Sequence, residues 1–192
     1  MTRHFHPAHR RQSIHWARNL LAHPFYVLDT ETTGLGNEDE IVQIGIVDRD
    51  GVDLMNQAIK PTIPIGPGAT AVHGISDRDV ADAPSFKRIY IALSALLAGQ
   101  VVVAYNMDFD WRMLQQTAAR YRLPDVRIGK RDCAMKQYAR FKGLRKSDGR
   151  KYIWHKLATA ARQEGIQIRR AHDALDDARM TLALIHKMAE AN

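Results

Sequence analysis

Apolar residues recur along this chain in two rhythms, and their order predicts an architecture. A short apolar run at 25–28 and the segments 41–47 and 53–60 read as strands, with Asp50-Gly51 as the hairpin turn between the second and third. A buried run at 101–104 and a shorter one at 128–133 read as two more. Elsewhere the rhythm is helical. Pro84 opens a helix, with Asp82 as a nearby cap. Phe86, Ile89, Leu93 and Leu96 share one face of it, and Gly99 stops it. Further helices are predicted over 109–121, ended before Pro124, and over 134–141, 153–164 and 173–189. Residues 142–152 form a polar, charged, Gly-containing loop. Strands that come first as a hairpin cluster and then alternate with helices predict an α/β domain with a mixed sheet and helices on its faces.

Ahead of that domain, assigned to 25–189, residues 1–24 read as a basic extension. Ile14, Ala17, Leu20 and Leu21 fall at helical spacing, so a short amphipathic helix is expected over 11–22, ended by Pro24. His4, His6 and His9 form a candidate metal group there, against which a flexible basic tail is the simpler reading.

Composition narrows the setting. The apolar share is 45%, ample for one core. No apolar run approaches the ~20 residues that span a bilayer. The single cysteine, Cys133, excludes an internal disulfide. With no secretory-type apolar segment at the start, a reducing, cytoplasmic location is expected. The net charge of +7 is unevenly spread. Residues 1–28 carry Arg3, Arg10, Arg11 and Arg18 and no acid, and 130–156 hold many Lys and Arg against only Asp132 and Asp148. The rest of the chain is therefore net acidic. Basic surfaces beside an acidic remainder suit a polyanion held near a carboxylate site, though solvated faces would give the same numbers.

Three acidic groups carry candidate chemistry. Asp29-Thr30-Glu31 follows the first strand, and residues two apart on a strand share a face. Their mutual repulsion needs a compensating charge, which a hard divalent cation supplies. Asp110 comes where the 101–104 strand hands over to a helix, the usual place for ligand-binding groups in an α/β sheet. Asp108 competes with it and also suits a helix N-cap. The third group is His172-Asp173-Ala174-Leu175-Asp176-Asp177. Five residues on a regular helix separate its ends by ~140°. His172 and Asp177 can therefore serve one site only if Asp173 caps the helix and His172 lies on the loop before it. Ala178, Leu182, Ile185 and Ala189 would then form the buried stripe.

With its spacing, this set resembles the DEDDh exonucleases of the DnaQ-like superfamily. Val27-Leu28-Asp29-Thr30-Glu31-Thr32-Thr33-Gly34-Leu35 resembles the first motif. Asn106-Met107-Asp108-Phe109-Asp110 resembles the second, which selects Asp110 over Asp108. His172 to Asp177 resembles the third, which selects Asp177 over Asp176. Val72-His73-Gly74-Ile75 is similar to a segment common in the superfamily. The resemblance covers about 25–189 and is strongest to proofreading subunits and stand-alone exonuclease X-type enzymes. Tyr105 departs from it, standing where many members have a histidine. The chain also ends soon after the third motif, without the long tail by which proofreading subunits attach to a polymerase.

The resemblance implies an RNase H-like fold and hydrolysis of nucleotides from a 3' end as 5'-monophosphates, DNA being the expected substrate. It implies that Asp29, Glu31, Asp110 and Asp177 hold two Mg²⁺ ions, or Mn²⁺ in their place, with Asp29 bridging them. His172 would be the general base, so activity should rise from acid toward mildly alkaline pH. Thr32, Thr33, Leu35, His73, Tyr105, Asn106 and Phe109 would contact the terminal nucleotide. Arg145 and Lys146, in the basic loop, would track the strand through its phosphates. Competing readings are an RNA-trimming exonuclease on the same scaffold, a non-catalytic nucleic-acid-binding relative, and a subunit active only with a polymerase. No membrane partner is expected, and oligomeric state is not readable from the chain.

Overall fold

The computed structural model describes residues 7–145, 151–168 and 172–192. β1 (Tyr26–Thr32), β2 (Ile41–Asp48) and β3 (Asp53–Ala58) form an antiparallel meander. β4 (Val101–Ala104) and β5 (Lys130–Cys133) join parallel on the other side of β1, giving the order β3-β2-β1-β4-β5. The helices are α1 (Pro7–Leu21), α2 (Pro67–His73), α3 (Phe86–Leu97), α4 (Met107–Arg120), α5 (Ala134–Lys142), α6 (Leu157–Gln163) and α7 (Ala174–Glu190). This is the mixed five-stranded RNase H-like sheet flanked by helices that the sequence predicts.

Local chemistry explains the elements. Ile41, Val42, Ile44, Ile46 and Val47 are all buried, so β2 is a central strand covered on both faces. The β2–β3 turn is closed by Asp48, whose Oδ1 accepts from the backbone N–H of Asp50 and of Val52, while Gly51 takes φ +83°. α7 crosses β1 and β2, and α1, α5 and α6 pack around it. α4 lies across β1, β4 and β5, with α3 against it. α1 is docked: Ile14, Ala17 and Leu20 are buried in the main core. The Arg18 guanidinium donates to the carbonyls of Ala189 and Ala191 at 2.8 and 2.9 Å, capping the end of α7. His4 and His6 lie outside the described residues. His9 hydrogen-bonds the Tyr152 hydroxyl.

Several sequence expectations shift. α3 begins at Phe86 with Ser85, not Asp82, at the cap position, and its buried face is Phe86, Ile89, Leu93 and Leu97, with Leu96 half-buried. Residues 153–156 are extended, because hydrogen bonds from Ile153 N–H to Leu144 and from Tyr105 to His155 hold their backbone, so α6 starts only at Leu157. α7 buries more than a stripe: Met180, Thr181, Leu184 and Met188 are also covered, because helices pack on several sides of it, while Ala189 is half-buried. α2 was not predicted. It starts at Pro67, and Gly74 ends it in the left-handed conformation.

The topology leaves one opening. β1 pairs with β2 along Tyr26 to Thr32 but with β4 only through Tyr26 and Val27. Past Val27 the parallel strands part, and the gap opens where β4 hands over to α4.

Candidate active site

Asp29 and Glu31 lie on β1 beside that opening, on one face of the strand. Opposite Asp29 in β2 is Gly45. A β-carbon there would come within 2.3 Å of the Leu175 backbone nitrogen and 2.4 Å of the Ala174 carbonyl carbon. The absent side chain therefore lets the first turn of α7 rest directly on the sheet. Opposite Glu31 is Gln43, which fixes that turn. Its Oε1 accepts from Ala174 N–H at 3.1 Å, and its Nε2 donates to Asp173 Oδ2 at 3.2 Å. Asp173 is the N-cap of α7, its other oxygen accepting from Leu175 and Asp176 N–H.

This seating brings Asp177 to the β1 acids. His172 sits on the turn before the cap with φ +66°, an uncommon conformation for a side-chain-bearing residue. One ligand atom each from Glu31, His172 and Asp177 lie within 4.8 Å of one another, a group able to hold a metal ion. Asp110 arrives from the first turn of α4, only 3% exposed, and its Oδ1 accepts from the Thr30 hydroxyl at 2.9 Å.

The electrostatics show what the cluster lacks. Burial, then the nearby Asp110, Asp177 and Glu31, push the Asp29 carboxyl well above the usual range. Burial and the Asp177 and Asp110 charges raise Glu31 to about 8. Burial raises Asp110 to about 7 against the opposing Thr30 hydrogen bond. Burial raises Asp177 to about 6, with His172 pulling it back. Among the described residues no Lys or Arg pairs with any of the four. Asp177 Oδ1 is buried with no hydrogen-bond partner there. Carboxylate oxygens crowded without a protein cation fit a hard divalent ion.

The neighbouring acids are otherwise engaged. Asp108 pairs with Lys136 at 2.6 Å, Asp176 with Arg179 at 3.0 Å, and Asp173 is spent on the cap.

Beside the acids lies a cavity of about 600 Å³, walled by Glu31, Thr32, Thr33, Leu35, Gly66, Ala69, Val72, His73 and Phe109. Leu35 and Val72 are 79% and 55% exposed and form an apolar rim. Thr32 and Thr33 shape the loop below it, their hydroxyls donating to Gly34 O and Asp39 Oδ1, both at 2.7 Å. Arg112 holds the Leu35 carbonyl at 3.1 Å. His73 uses both ring nitrogens: Nδ1 accepts from Ile75 N–H at 3.0 Å, so Nε2 carries the proton it donates to Thr32 O at 3.1 Å. Its ring latches α2 to the end of β1.

Other expected contacts stand apart. Tyr105 and Asn106 are not among the walls of this cavity, and the Tyr105 hydroxyl donates to His155 O at 2.6 Å. Arg145 packs its guanidinium on the Tyr152 ring at 4.8 Å. Lys146 lies outside the described residues. Gly45, Gln43 and Thr30 were not singled out from the sequence. A glycine and a polar residue inside the apolar β2 run were the available signal for the first two.

The exonuclease family model RNase_T matches residues 26–185. An uncharacterized exonuclease, CP81, of Escherichia phage 186 is 43% identical over 171 residues, covering 85% of this chain and 87% of the phage protein. The DNA polymerase III subunit epsilon of Treponema pallidum is 32% identical over 168 residues, covering 85% of this chain and 75% of that one. Among solved structures, exonuclease X in complex with 5' overhanging duplex DNA superposes with a TM-score of 0.63 at 29% identity, over 85% of this chain and 90% of that one. Escherichia coli exonuclease I with a dT13 oligonucleotide gives 0.70 at 20% identity, over 88% of this chain and 41% of that one, and shares the fold.

Proposed function

The chain belongs to the RNase_T exonuclease family, in its DEDDh class of 3'-5' exonucleases, and on that premise we propose that it trims DNA from the 3' end in a metal-dependent hydrolysis releasing nucleoside 5'-monophosphates. The observation that carries the reading is the cluster of Asp29, Glu31, Asp110 and Asp177, with no Lys or Arg paired to it among the described residues and His172 at its edge.

The four carboxylates would hold two Mg²⁺ or Mn²⁺ ions. Bound there, the ions supply a nucleophilic water and charge stabilisation at the leaving oxygen. His172 would take the proton as the water oxygen bonds to phosphorus and the bond to the leaving 3'-oxygen breaks, that oxygen taking up a proton from solvent. The apolar rim of Leu35 and Val72 receives the terminal base, and Phe109 offers a ring in the same cavity. Thr32, Thr33 and His73 keep that cavity in shape.

DNA is favoured by the polymerase-subunit relative and by the exonuclease X structure with duplex DNA. No described helix is long and apolar enough to cross a membrane. A reducing, cytoplasmic setting suits the one cysteine. The test is parallel digestion of 5'-labelled single-stranded DNA, duplex DNA and RNA of one sequence with Mg²⁺. DNA ladders that shorten from the 3' end, faster than RNA, are expected. Faster RNA trimming would overturn the choice of substrate.

A further inference from the structure

A second groove, of about 540 Å³, is lined by Lys136, Arg140, Lys151, Tyr152, Ile153 and Trp154. Three of these are cations. Trp154 is 63% exposed, and among the described residues its indole has no hydrogen bond and no ring partner. Nor, among the described residues, do Arg140 and Lys151 have a carboxylate partner. A solvated basic face would not need a large aromatic held out in water among the cations.

The groove is joined to the segment that carries Asp110. Both its walls are tied to Tyr105, the residue before the Asn106–Asp110 segment. The Tyr105 carbonyl accepts from Met135 N–H at 2.9 Å, in the first turn of α5, and its hydroxyl holds His155, next to Trp154. Lys136 reaches Asp108, two residues before Asp110, at 2.6 Å. The floor is firm. The His155 ring stands edge-on to Tyr138 at 5.5 Å, and the Tyr138 hydroxyl donates to Glu164 at 2.7 Å. Trp154 is therefore presented by an anchored segment.

Cations beside an exposed aromatic fit a polyanion with open base faces, which single-stranded DNA offers and a closed duplex does not. We infer that this groove holds the DNA strand a few nucleotides upstream of the 3' end, a base stacking on Trp154 and phosphates meeting Arg140 and Lys151. The inference takes its substrate from the proposed function, but binding here does not require cleavage.

The test measures binding of 5'-fluorescein dT3 and dT10 in EDTA by anisotropy. The wild type should bind dT10 at least ~10-fold more tightly than dT3, since stacking and phosphate contacts accumulate along the strand. In a Trp154→Ala, Arg140→Ala double variant that advantage should collapse, while Trp154→Phe keeps most of it. Arg140→Ala with Lys151→Ala should lower the salt slope by ~1.4, two lost phosphate contacts on a single strand. Wild-type dT10 affinity in the first double variant would overturn the inference. So would equal loss for dT3 and dT10. If the wild type fails to shorten dT10 on addition of Mg²⁺, the proposed function fails instead, and the binding ratio still decides the groove.

Discussion

Gly45 and Leu175 meet through a side chain that is absent: a β-carbon on Gly45 would lie 2.3 Å from the Leu175 backbone nitrogen. The contact sets the height of α7 above β1, and with it the reach of Asp177 to Asp29 and Glu31. Gly45→Ala should lift that turn. Overpacking of this kind costs about 1–3 kcal/mol, and a chain of this size loses ~2–4 °C of melting temperature per kcal/mol. Turnover should fall further than stability does, because the site is displaced while the core persists. A melting curve and a kcat measurement check this. A wild-type kcat in a Gly45→Ala protein would mean that the seating of α7 does not set the site.

Gln43 holds the same turn by hydrogen bonds rather than by closeness. Gln43→Leu leaves Ala174 N–H and the Asp173 cap without their partner on β2. A loss of about 1–2 kcal/mol is expected, the usual cost of a stranded buried polar group. Affinity for Mn²⁺, read by calorimetry, should weaken alongside it. Unchanged Mn²⁺ affinity would reduce Gln43 to an ordinary surface contact.

His172 is positioned by an unusual backbone angle as well as by sequence. Asn tolerates the left-handed region, so His172→Asn should keep the melting temperature. Removing the proton acceptor should cost ~10²–10⁴-fold in kcat. A variant that turns over within a few-fold of wild type would remove His172 from the chemistry.

The acidic cluster also predicts how the metal-free protein responds to pH. Glu31, Asp110 and Asp177 have folded-state values of about 8, 7 and 6 against ordinary values of 4.5, 3.8 and 3.8. Between those limits the folded state binds more protons than the unfolded one, so stability falls as pH rises. In EDTA the melting temperature should drop from pH 5 to pH 8. Millimolar Mg²⁺ or Mn²⁺ should raise it by more at pH 8 than at pH 5, since the ion binds the ionised carboxylates of the folded state. A flat profile in EDTA would contradict the crowding of these four groups.

Much of this was legible in the sequence because it is local. Strand rhythm gave the five strands, and the ~140° argument placed His172 off the helix, where it lies. Asp173 as the α7 cap follows from the same reasoning. What was not legible depends on long-range pairing. Gly45 matters because β2 register sets it opposite Asp29 and against the backbone of Leu175, which lies 130 positions further along the chain. Asp82 was a reasonable cap by type, yet Ser85 holds that position. The extended run at 153–156 carries helical residues but is claimed by Tyr105, some fifty positions away. α2 is short and buries no residue of its own, so it left no apolar stripe to read.

The choice between neighbouring acids can be tested pairwise. Asp176→Asn removes one of the two carboxylates that pair with Arg179, which keeps Asp53, and touches none of the four clustered acids, so turnover should stay within about two-fold. Large loss in Asp176→Asn would reverse the assignment.

The most direct test is Asp177→Asn assayed beside the wild type on 5'-labelled single-stranded DNA, each with Mg²⁺ and with EDTA. The wild type should shorten the strand from its 3' end with Mg²⁺ and do nothing in EDTA. The variant should fold, melt no lower than wild type in EDTA at pH 8, and leave the strand intact. Cleavage by the wild type in EDTA, or undiminished cleavage by Asp177→Asn, would contradict a metal-dependent site built on these carboxylates.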